Sequence, residues 1–324
     1  MTDRRVQTVA VIGAGMAGLA CASLLAESNL SVRVFEKSRG IGGRIATRRT
    51  ADGLQFDHGA QYFTATTPAF QDFTSEARRA GNLETWLPNG RPGKVRGDWL
   101  VGQPAMNAFL KPAAARLDVD LGTQVSDISR AQGGWALSFD SRSGVDVFDA
   151  VIVTAPAPQV QALTTASPLL QKQLDAVEMA PCWALMLAAD VPVMAGPSVL
   201  EAPHPDIAWM ARNASKPGRE RSPETWTVHA STTWSVRHLE AKPEDAAAYL
   251  RQIALPLAGL KDGTVVHAAA HRWRYARTLK PADAPFLSDE TGTLLAAGDW
   301  CLGARVENAF ESGRAAASFI AGLA

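Results

Sequence analysis

Three glycines and one carboxylate near the N-terminus have the types and the spacing of a dinucleotide-binding site. Gly13, Gly15 and Gly18 form a G-x-G-x-x-G pattern, and Glu36 follows about 20 residues later, where such sites carry an acid. The first glycine permits a tight turn, the second lets backbone N–H groups approach a pyrophosphate, and the third lets a helix pack closely on a strand. The acid accepts hydrogen bonds from an adenosine ribose, so these residues predict a dinucleotide site.

A strand, a helix and a second strand are predicted around these four residues. Thr8–Ile12 is a β-branched run typical of a buried strand, and apolar residues between 17 and 25 recur at helical spacing. Ser31–Phe35 alternates as a second strand that ends at Glu36. These elements favour a functional motif over a coincidental glycine-rich turn, but they do not distinguish NAD from FAD.

A second glycine motif favours a flavin. Gly42, Gly43 and Arg44 follow Glu36 by a few residues, a pattern found in flavoprotein amine oxidases and their relatives. Two glycines let the backbone pass close to an extended cofactor, and the arginine supplies a fork of donors for phosphate. The alternative is a flexible surface loop with a solvated arginine.

The C-terminal segment fits the same cofactor. Residues 294–298 predict a buried strand that ends at Asp299, an acid that can hold the ribityl hydroxyls of a flavin. A closing helix with one apolar face is predicted to begin near Val306 and Glu307. Its N-terminus carries roughly +0.5 charge, which would stabilise an anionic reduced flavin. The alternative is a terminal helix that only packs.

The composition argues against several other classes of protein. The 324 residues contain 32 basic and 32 acidic side chains, so the zero net charge gives no reason to expect a nucleic acid or an anionic membrane as partner. Three distant cysteines suit neither a disulfide framework nor a cysteine-based zinc site. No apolar run approaches the ~20 residues that span a bilayer. We therefore expect a cytoplasmic protein without a metal.

The chain resembles the renalase-type flavoproteins, most of all the bacterial renalases, within the flavin amine oxidase superfamily. Beyond the segments above, the likeness rests on residues 56–63, 226–231, 234–235, 271–276, 295–301, 305–309 and 312–313. The Asp-His-Gly-Ala-Gln-Tyr segment that begins at Asp57 and the His-Arg-Trp-Arg-Tyr segment that begins at His271 point to renalases in particular.

This resemblance implies an α/β fold with two interleaved domains. One is a Rossmann-like FAD-binding domain of three layers with a parallel sheet, and the other is an α+β substrate domain built on a mixed or antiparallel sheet. We assign residues 1–64, 101–160 and 284–324 to the FAD-binding domain. Residues 65–100 and 161–283 are assigned to the substrate domain.

The resemblance also implies FAD as the cofactor, held noncovalently by the glycine motifs, by a turn near residue 60 and by the C-terminal segment. The predicted cofactor-binding residues are Gly13, Ala14, Gly15, Met16, Ala17, Gly18, Glu36, Lys37, Gly43, Arg44, Gly59, Ala60, Gln61, Tyr62, Val125, Gly298, Asp299, Val306, Glu307 and Ala309.

The predicted reaction depends on the resemblance and on the lysines. Amine oxidases are expected to carry a lysine beside flavin N5, but none of the eight lysines lies in a predicted pocket segment. Lys261 and Lys280 fall in loop-like stretches, and residues 212–223 predict an exposed loop. Renalases oxidise the 2- and 6-dihydro isomers of NAD(P)H by hydride transfer to flavin N5 and pass the electrons to O2, giving H2O2. A neutral dihydropyridine needs no base, because loss of hydride makes an aromatic cation.

Other functions stay open at this point. The runner-up is an amine or polyamine oxidase acting on small amines, and a non-catalytic flavin-binding redox sensor is the alternative from another class. A carotenoid-type desaturase is disfavoured because the chain is short and shows no evident membrane-docking helix. The sequence determines neither the preference for NAD or NADP nor the oligomeric state.

Four residues are predicted to surround the substrate ring: Tyr62, His229, Trp234 and Trp273. His229 and Trp234 have opposite parity along a strand, so a bend between them must bring them to one side. No residue is assigned as a general base, and His229 is explained equally well as a structural histidine. Trp273 and Arg274 point to opposite faces of their strand; we place Trp273 in the pocket and leave Arg274 open.

Overall fold

The structure is a computed structural model that describes residues 5–90, 97–191 and 196–324. Its strands, in chain order, are β1 (Thr8–Ile12), β2 (Ser31–Glu36), β3 (Arg48–Arg49), β4 (Gln55–Phe56), β5 (Leu83–Trp86), β6 (Trp99–Gly102), β7 (Asp118–Leu121), β8 (Val125–Ala131), β9 (Gly134–Phe139), β10 (Val145–Phe148), β11 (Ala150–Val153), β12 (Glu178–Ala189), β13 (Val199–His204), β14 (Ile207–Arg212), β15 (Glu224–Ala230), β16 (Val265–Lys280), β17 (Leu287–Ser288) and β18 (Leu294–Ala296). Its helices are α1 (Met16–Glu27), α2 (Pro68–Arg79), α3 (Lys111–Ala114), α4 (Ala157–Leu163), α5 (Pro168–Leu174), α6 (Thr232–Arg237), α7 (Pro243–Ala258), α8 (Asp299–Leu302) and α9 (Val306–Ala321).

The chain divides into two compact units, each assembled from separated segments. The first unit comprises residues 1–43, 110–179 and 278–324, and the second comprises residues 44–109 and 180–277. Among the described residues, no helix is both long and apolar enough to span a bilayer.

The first unit is built on a sheet with the strand order β17-β18-β11-β1-β2-β7. All pairs from β18 to β7 are parallel, whereas β17 pairs antiparallel with β18 at one edge, so the predicted parallel sheet is a mixed one. β1 and β11 are apolar and buried because both faces of a parallel sheet are covered. Helices α1 and α9 lie so close that Gly313 has no room for a Cβ beside the backbone of Ala17. The predicted Rossmann-like α/β fold is confirmed.

The second unit is built on a five-stranded sheet with the order β13-β14-β15-β12-β16. Strands β13, β14, β15 and β12 pair antiparallel. Trp226 and Val228 of β15 lie in an apolar core with Leu250 of α7. Because side chains alternate along a strand, Thr227 and His229 lie on the opposite face of this sheet.

The unit boundaries differ from the predicted domain boundaries at four places. Residues 44–64 and 101–109 belong to the second unit, where buried Asp57 pairs with Lys216. Residues 161–179 belong to the first unit because Leu170 and Leu174 are part of its core. Residues 278–283 also belong to the first unit, since the backbone N–H of residue 282 donates to the carbonyl of residue 300.

Candidate functional site

The glycine turn of the first unit has the geometry that the fingerprint requires. Gly13 follows β1 with a φ of +107°, in the left-handed region that favours glycine. A Cβ on Gly18 would collide with the carbonyl oxygen of Gly13, so glycine alone lets α1 pass this close to the turn. α1 begins at Met16 with Gly15 as its N-cap, and its first turn holds no acidic side chain. The positive end of the helix dipole is therefore available to an anion.

The second glycine motif lies against this turn. The Gly42 N–H donates to the carbonyl of Ala14, with an N···O distance of 2.9 Å, and Gly43 has a φ of +53°. A Cβ added to Gly15 would meet the Gly42 carbonyl oxygen at 4.0 Å and no closer atom, so a cradle is open beside the turn. Open glycine backbone at a helix N-terminus is what an extended pyrophosphate requires, and these residues fit the adenosine diphosphate part of FAD.

Glu36 is fixed directly beside the glycine turn. One of its carboxylate oxygens accepts the N–H of Ala14 and the other accepts the N–H of Ser38, both at 2.8 Å. Lys37 instead points to an exposed contact with Gln159, and Val125 begins β8 with its side chain buried in the apolar core. Of Glu36, Lys37 and Val125, Glu36 is thus the one that contacts the glycine turn.

Asp299 lies at the start of α8, three residues after β18. Its carboxylate is buried and accepts a hydrogen bond from Thr278 Oγ1 at 3.2 Å. The N–H of Gly298 donates to Ser312 Oγ at 2.9 Å, which ties the strand end to α9. The structure therefore places an acid at the strand end, as the sequence predicts, and fixes it by neighbours within the first unit.

α9 begins at Val306, the predicted position, and Ala309 closes its first turn by donating to the carbonyl of Arg305 at 3.2 Å. Glu307 lies in the first turn, is buried, and pairs with the Arg305 guanidinium at 2.8 Å. A carboxylate in the first turn offsets part of the positive charge that the helix end presents. Because the Arg305 guanidinium is paired with this carboxylate, the two side chains together add no net charge to the helix end.

In the second unit, residues 57–61 form a tight turn held from both sides. A Cβ on Gly59 would collide with the Arg44 carbonyl oxygen, which also accepts the N–H of Ala60 at 2.9 Å. The side-chain amide of Gln61 donates to the carbonyls of Asp57 and Gly59. The Arg44 guanidinium donates to a β16 carbonyl at 3.2 Å. The predicted flavin-contacting residues of this turn therefore have a fixed conformation.

A buried charge cluster of Asp57, Lys216 and Arg219 stabilises this turn. Asp57 Oδ2 accepts from Lys216 Nζ at 3.1 Å and from Arg219 at 2.7 Å, and Lys216 also donates to Gln61 Oε1 at 3.2 Å. Burial alone would raise the pKa of Asp57, but Lys216 and Arg219 hold that pKa well below its usual range. Burial lowers the pKa of Lys216 to about 8, although Asp57 acts in the opposite direction.

Two predictions about segments that carry lysines are wrong. Residues 212–223 are not simply an exposed loop, because Lys216 is buried against Asp57. Lys280 is the last residue of β16 and does not lie in a loop. No local pattern identifies Lys216 as buried, since it lies in a polar segment and its partner is 159 positions away.

A His–Trp cluster of His58, His229, His271 and Trp273 lies in the second unit. The His58 carbonyl oxygen accepts from Trp273 Nε1 at 3.0 Å and from His229 Nε2 at 3.2 Å. The His58 ring lies 4.8 Å from the Trp273 ring and 5.0 Å from the His271 ring, measured between centroids. Two predicted pocket residues, His229 and Trp273, are thus brought together by one carbonyl group.

Tyr62 joins this region through tryptophans that sequence reasoning missed. Its ring stacks on Trp99 with centroids 3.8 Å apart and lies 5.9 Å from Trp209. Trp209 is the direct cross-strand partner of His229 in the β14–β15 ladder, so both side chains lie on the same face of the sheet. The Tyr62 ring therefore lies close to Trp209 on the face that also carries His229.

Trp234 lies elsewhere, contrary to its predicted place in the pocket. The expected bend exists, but Ser231 caps the new helix α6, and the helix turns the indole away. Trp234 is buried in the core with α7 and stacks on His238 at 4.3 Å and Tyr249 at 5.2 Å. Of the adjacent pair on β16, Trp273 joins the His–Trp cluster, whereas Arg274 pairs with exposed Glu240.

The imidazoles of the His–Trp cluster are neutral at physiological pH. Burial, with His271 and Arg48 nearby, lowers the pKa of His58 to about 3. Burial lowers the pKa of His229 to about 4, and burial together with Arg48 lowers the pKa of His271 to about 4. Arg48 contacts His271 Nδ1 at 3.3 Å. Within the described residues, no group of histidine, cysteine or acidic side chains has the arrangement of a metal site.

Comparison with family models gives two matches. A model described as flavin containing amine oxidoreductase matches residues 73–321, and one described as an NAD(P)-binding Rossmann-like domain matches residues 11–77.

Solved structures share the fold at low identity. A putative protoporphyrinogen oxidase from Exiguobacterium sp. 255-15 has a TM-score of 0.76 at 12% identity and covers 97% of this chain and 98% of that one. A cyclohexylamine oxidase from Brevibacterium oxydans IH-35A has a TM-score of 0.73 at 13% identity and covers 98% and 99%. At such identities the likeness concerns the fold.

Curated relatives match over short segments. A carotenoid 3,4-desaturase of Haloarcula japonica is 38% identical over 63 residues, which are 19% of this chain and 12% of that protein. A zeta-carotene-forming phytoene desaturase of Myxococcus xanthus is 37% identical over 86 residues, which are 26% and 16%. The matches therefore span less than a fifth of either desaturase.

Proposed function

Because the chain belongs to the flavin-containing amine oxidoreductase family, we propose that it is an FAD-dependent oxidase of dihydronicotinamides, like the renalases that it resembles. The substrates would be the 2- and 6-dihydro isomers of NAD(P), and O2 would be the electron acceptor. One dihydronicotinamide, one O2 and one proton would give one NAD(P)+ and one H2O2. FAD, when bound, supplies the hydride acceptor of this reaction.

The first unit would hold the adenosine diphosphate part of FAD noncovalently. Gly15 and Gly43 offer open backbone, and the N-terminus of α1 offers positive charge, as a pyrophosphate needs. Glu36 has accepted two backbone N–H groups and keeps lone pairs for ribose hydroxyls. In the second unit, Gly59, Ala60, Gln61 and Tyr62 stay predicted flavin contacts.

The proposed substrate class is supported by a single observation, the charge around the His–Trp cluster. Its three imidazoles are neutral, and Arg48 lies against one of them. The nearby charge cluster holds two cations, Lys216 and Arg219, against one carboxylate. Such surroundings suit a neutral flat ring with an anionic dinucleotide tail, and they disfavour a protonated amine because like charges repel.

Amine oxidation is a second candidate, and one observation favours it. Lys216 is a buried lysine whose pKa is lowered to about 8, and it donates to Gln61 of the predicted flavin-contacting turn. A lysine close to the flavin is expected of amine oxidases. Against this candidate, Lys216 is already bound to Asp57.

Turnover with defined substrates tests the proposal. FAD-loaded protein is mixed in air with 6-dihydroNAD, 2-dihydroNAD or ordinary NADH, and O2 uptake, H2O2 and NAD+ are measured together. We expect equal amounts of O2 consumed, H2O2 formed and NAD+ formed with an isomer, and much slower turnover with NADH. Peroxide formation from small amines, with none from either isomer, would establish the second candidate instead.

A further inference from the structure

One hydrogen bond fixes which nitrogen of His229 carries the proton. His229 Nε2 lies 3.2 Å from the carbonyl oxygen of His58, and a carbonyl oxygen accepts hydrogen bonds but cannot donate them. The proton of the neutral ring is therefore on Nε2, where it donates to His58. The same carbonyl accepts from Trp273 Nε1, so one acceptor holds both the His229 ring and the Trp273 indole.

The other nitrogen of His229, Nδ1, carries a lone pair that has no hydrogen-bond partner among the described residues. Burial keeps the ring neutral by lowering its pKa to about 4. In the part of the chain that the structure describes, the hydrogen bond of His229 is the one made by Nε2, and the side chain is partly exposed. Nδ1 is not a fully buried atom, although it makes no hydrogen bond. It is thus an accessible acceptor, not a donor.

The strand geometry places this acceptor among flat apolar surfaces. On β15, His229 pairs with Trp209 of β14 on one side and with Ala184 of β12 on the other. Directly paired residues share a face, so the Trp209 indole stands beside the imidazole. Trp209 and Trp273 therefore both neighbour His229, one as its cross-strand partner and the other through the shared His58 carbonyl.

We propose that His229 is the specificity residue that recognises the carboxamide of the nicotinamide ring by accepting its N–H at Nδ1; this inference rests on the proposed function. A carboxamide presents N–H donors in the plane of the ring, and the neutral imidazole presents one in-plane acceptor. A ring that carries a carboxylate at the same position presents lone pairs alone. Two acceptors facing each other repel and lose a hydrogen bond, which excludes the acid form.

Charge attraction and the His229 acceptor would select different groups on the ring. The cations near this site, Arg48, Lys216 and Arg219, would by electrostatics alone attract a ring carboxylate. If charge attraction determined the preference, the acid form would bind more tightly than the amide. If the His229 acceptor determines it, the amide binds more tightly. The two explanations therefore predict opposite orders of affinity.

Equilibrium binding distinguishes them. NAD+ and nicotinic acid adenine dinucleotide, which differ in this one group, are titrated into FAD-loaded protein, and binding is followed by the change in flavin absorbance. We expect NAD+ to bind roughly 10–100-fold more tightly, a range typical for one hydrogen bond made or lost. His229→Gln should reduce the ratio to about threefold or less, because a glutamine amide can turn to donate as well as accept.

A matched substitution and a second variant complete the test. His238→Gln makes the same chemical change at a histidine that stacks on Trp234 in the core, and it should leave the ratio as in wild type. If His229→Gln loses FAD, His229→Asn is titrated in its place. Three results overturn the inference while the isomers are still oxidised. Wild type binds the acid more tightly, wild type binds the two dinucleotides equally, or the preference for NAD+ survives the substitution of His229. If neither dinucleotide binds and neither isomer is oxidised, the proposed function fails and this inference fails with it.

Discussion

The ionised side chain of Asp57 connects several separate segments of the second unit. Its buried carboxylate accepts from Lys216, Arg219, Thr47 Oγ1 at 2.6 Å and a backbone N–H at 3.2 Å. The same residue supplies the carbonyl that Gln61 binds. A buried ion pair of this kind is weak evidence for net stability, but removing one partner leaves a charge that is expensive to bury. The cluster therefore fixes the conformation of the 57–61 turn.

Lys216 should make the free energy of unfolding depend on pH in the alkaline range. Its folded-state pKa of about 8 is below the ~10.4 of an unfolded lysine, so between these values the unfolded chain binds more protons. The free energy of unfolding should therefore rise as the pH increases from about 8 to about 10. Denaturant midpoints measured across this range for wild type and Lys216→Met should show the rise in wild type and a smaller one in the variant.

Lys242→Met is the matched control, because Lys242 is exposed and belongs to the same unit. It should reproduce the wild-type curve. Parallel curves for wild type and Lys216→Met would show that Lys216 is not a buried cation in solution.

Glu36 should affect cofactor affinity and not chemistry. Glu36→Gln removes a charge-assisted hydrogen bond, which is worth roughly 1.5–3 kcal/mol, so the Kd for FAD should rise about 10–150-fold. Titration of the apoprotein with FAD measures this change, with exposed Glu27→Gln as control. Turnover at saturating FAD should stay near that of wild type. A variant that keeps FAD fully and loses turnover would contradict the assignment of Glu36 to the ribose.

The β1–turn–α1 element could be predicted well because its constraints are local. The positive φ of Gly13 and the lack of room at Gly18 act within a few residues, so the sequence displays them directly. The start of α9 at Val306 is predictable for the same reason. Trp234 lies outside its predicted place because the expected bend is the start of helix α6, which carries the indole into the apolar core. Lys216 and His58 could not be found, since their partners are more than 100 residues away in the chain.

Substitutions at two glycines test whether the turn between β1 and α1 binds the cofactor. Gly18→Ala places a Cβ against the Gly13 carbonyl, so it should displace the turn, lower the midpoint of thermal unfolding and abolish FAD retention. Gly40→Ala is the matched control, because a Cβ at Gly40 meets nothing within 4 Å. Flavin content per protein after purification measures the difference. Equal flavin content in both variants would exclude a role for the turn in cofactor binding.

At the scale of the whole molecule, two units of different architecture divide the predicted tasks. The first carries the dinucleotide fingerprint, and the second carries the charge cluster and the His–Trp cluster. The sequence predicted this division of labour from its motifs, but it placed residues 44–64 with the first unit. The β3–β4 hairpin and the 57–61 turn belong to the second unit because their hydrogen bonds run to Asn213, Lys216 and Arg219.

The pH dependence of the reductive step tests the absence of a base. If hydride leaves a neutral dihydropyridine, no side chain has to remove a proton, so the limiting rate of flavin reduction should be nearly flat from about pH 6 to 9. The histidines of the His–Trp cluster do not titrate there, because their pKa values are about 3 to 4. A step near pH 8 that disappears in Lys216→Met, or one that disappears in His229→Gln, would identify that residue as a base.

The central claim is tested most directly by anaerobic rapid mixing of the FAD-loaded protein with competing reductants. Flavin absorbance is followed after mixing with 6-dihydroNAD, with 2-dihydroNAD, or with a panel of small primary and secondary amines. We predict that a dihydronicotinamide isomer bleaches the flavin faster than any amine, because the surroundings of the His–Trp cluster favour a neutral ring with an anionic tail. Faster bleaching by an amine, with slow or no reduction by either isomer, would contradict the account and establish amine oxidation as the function.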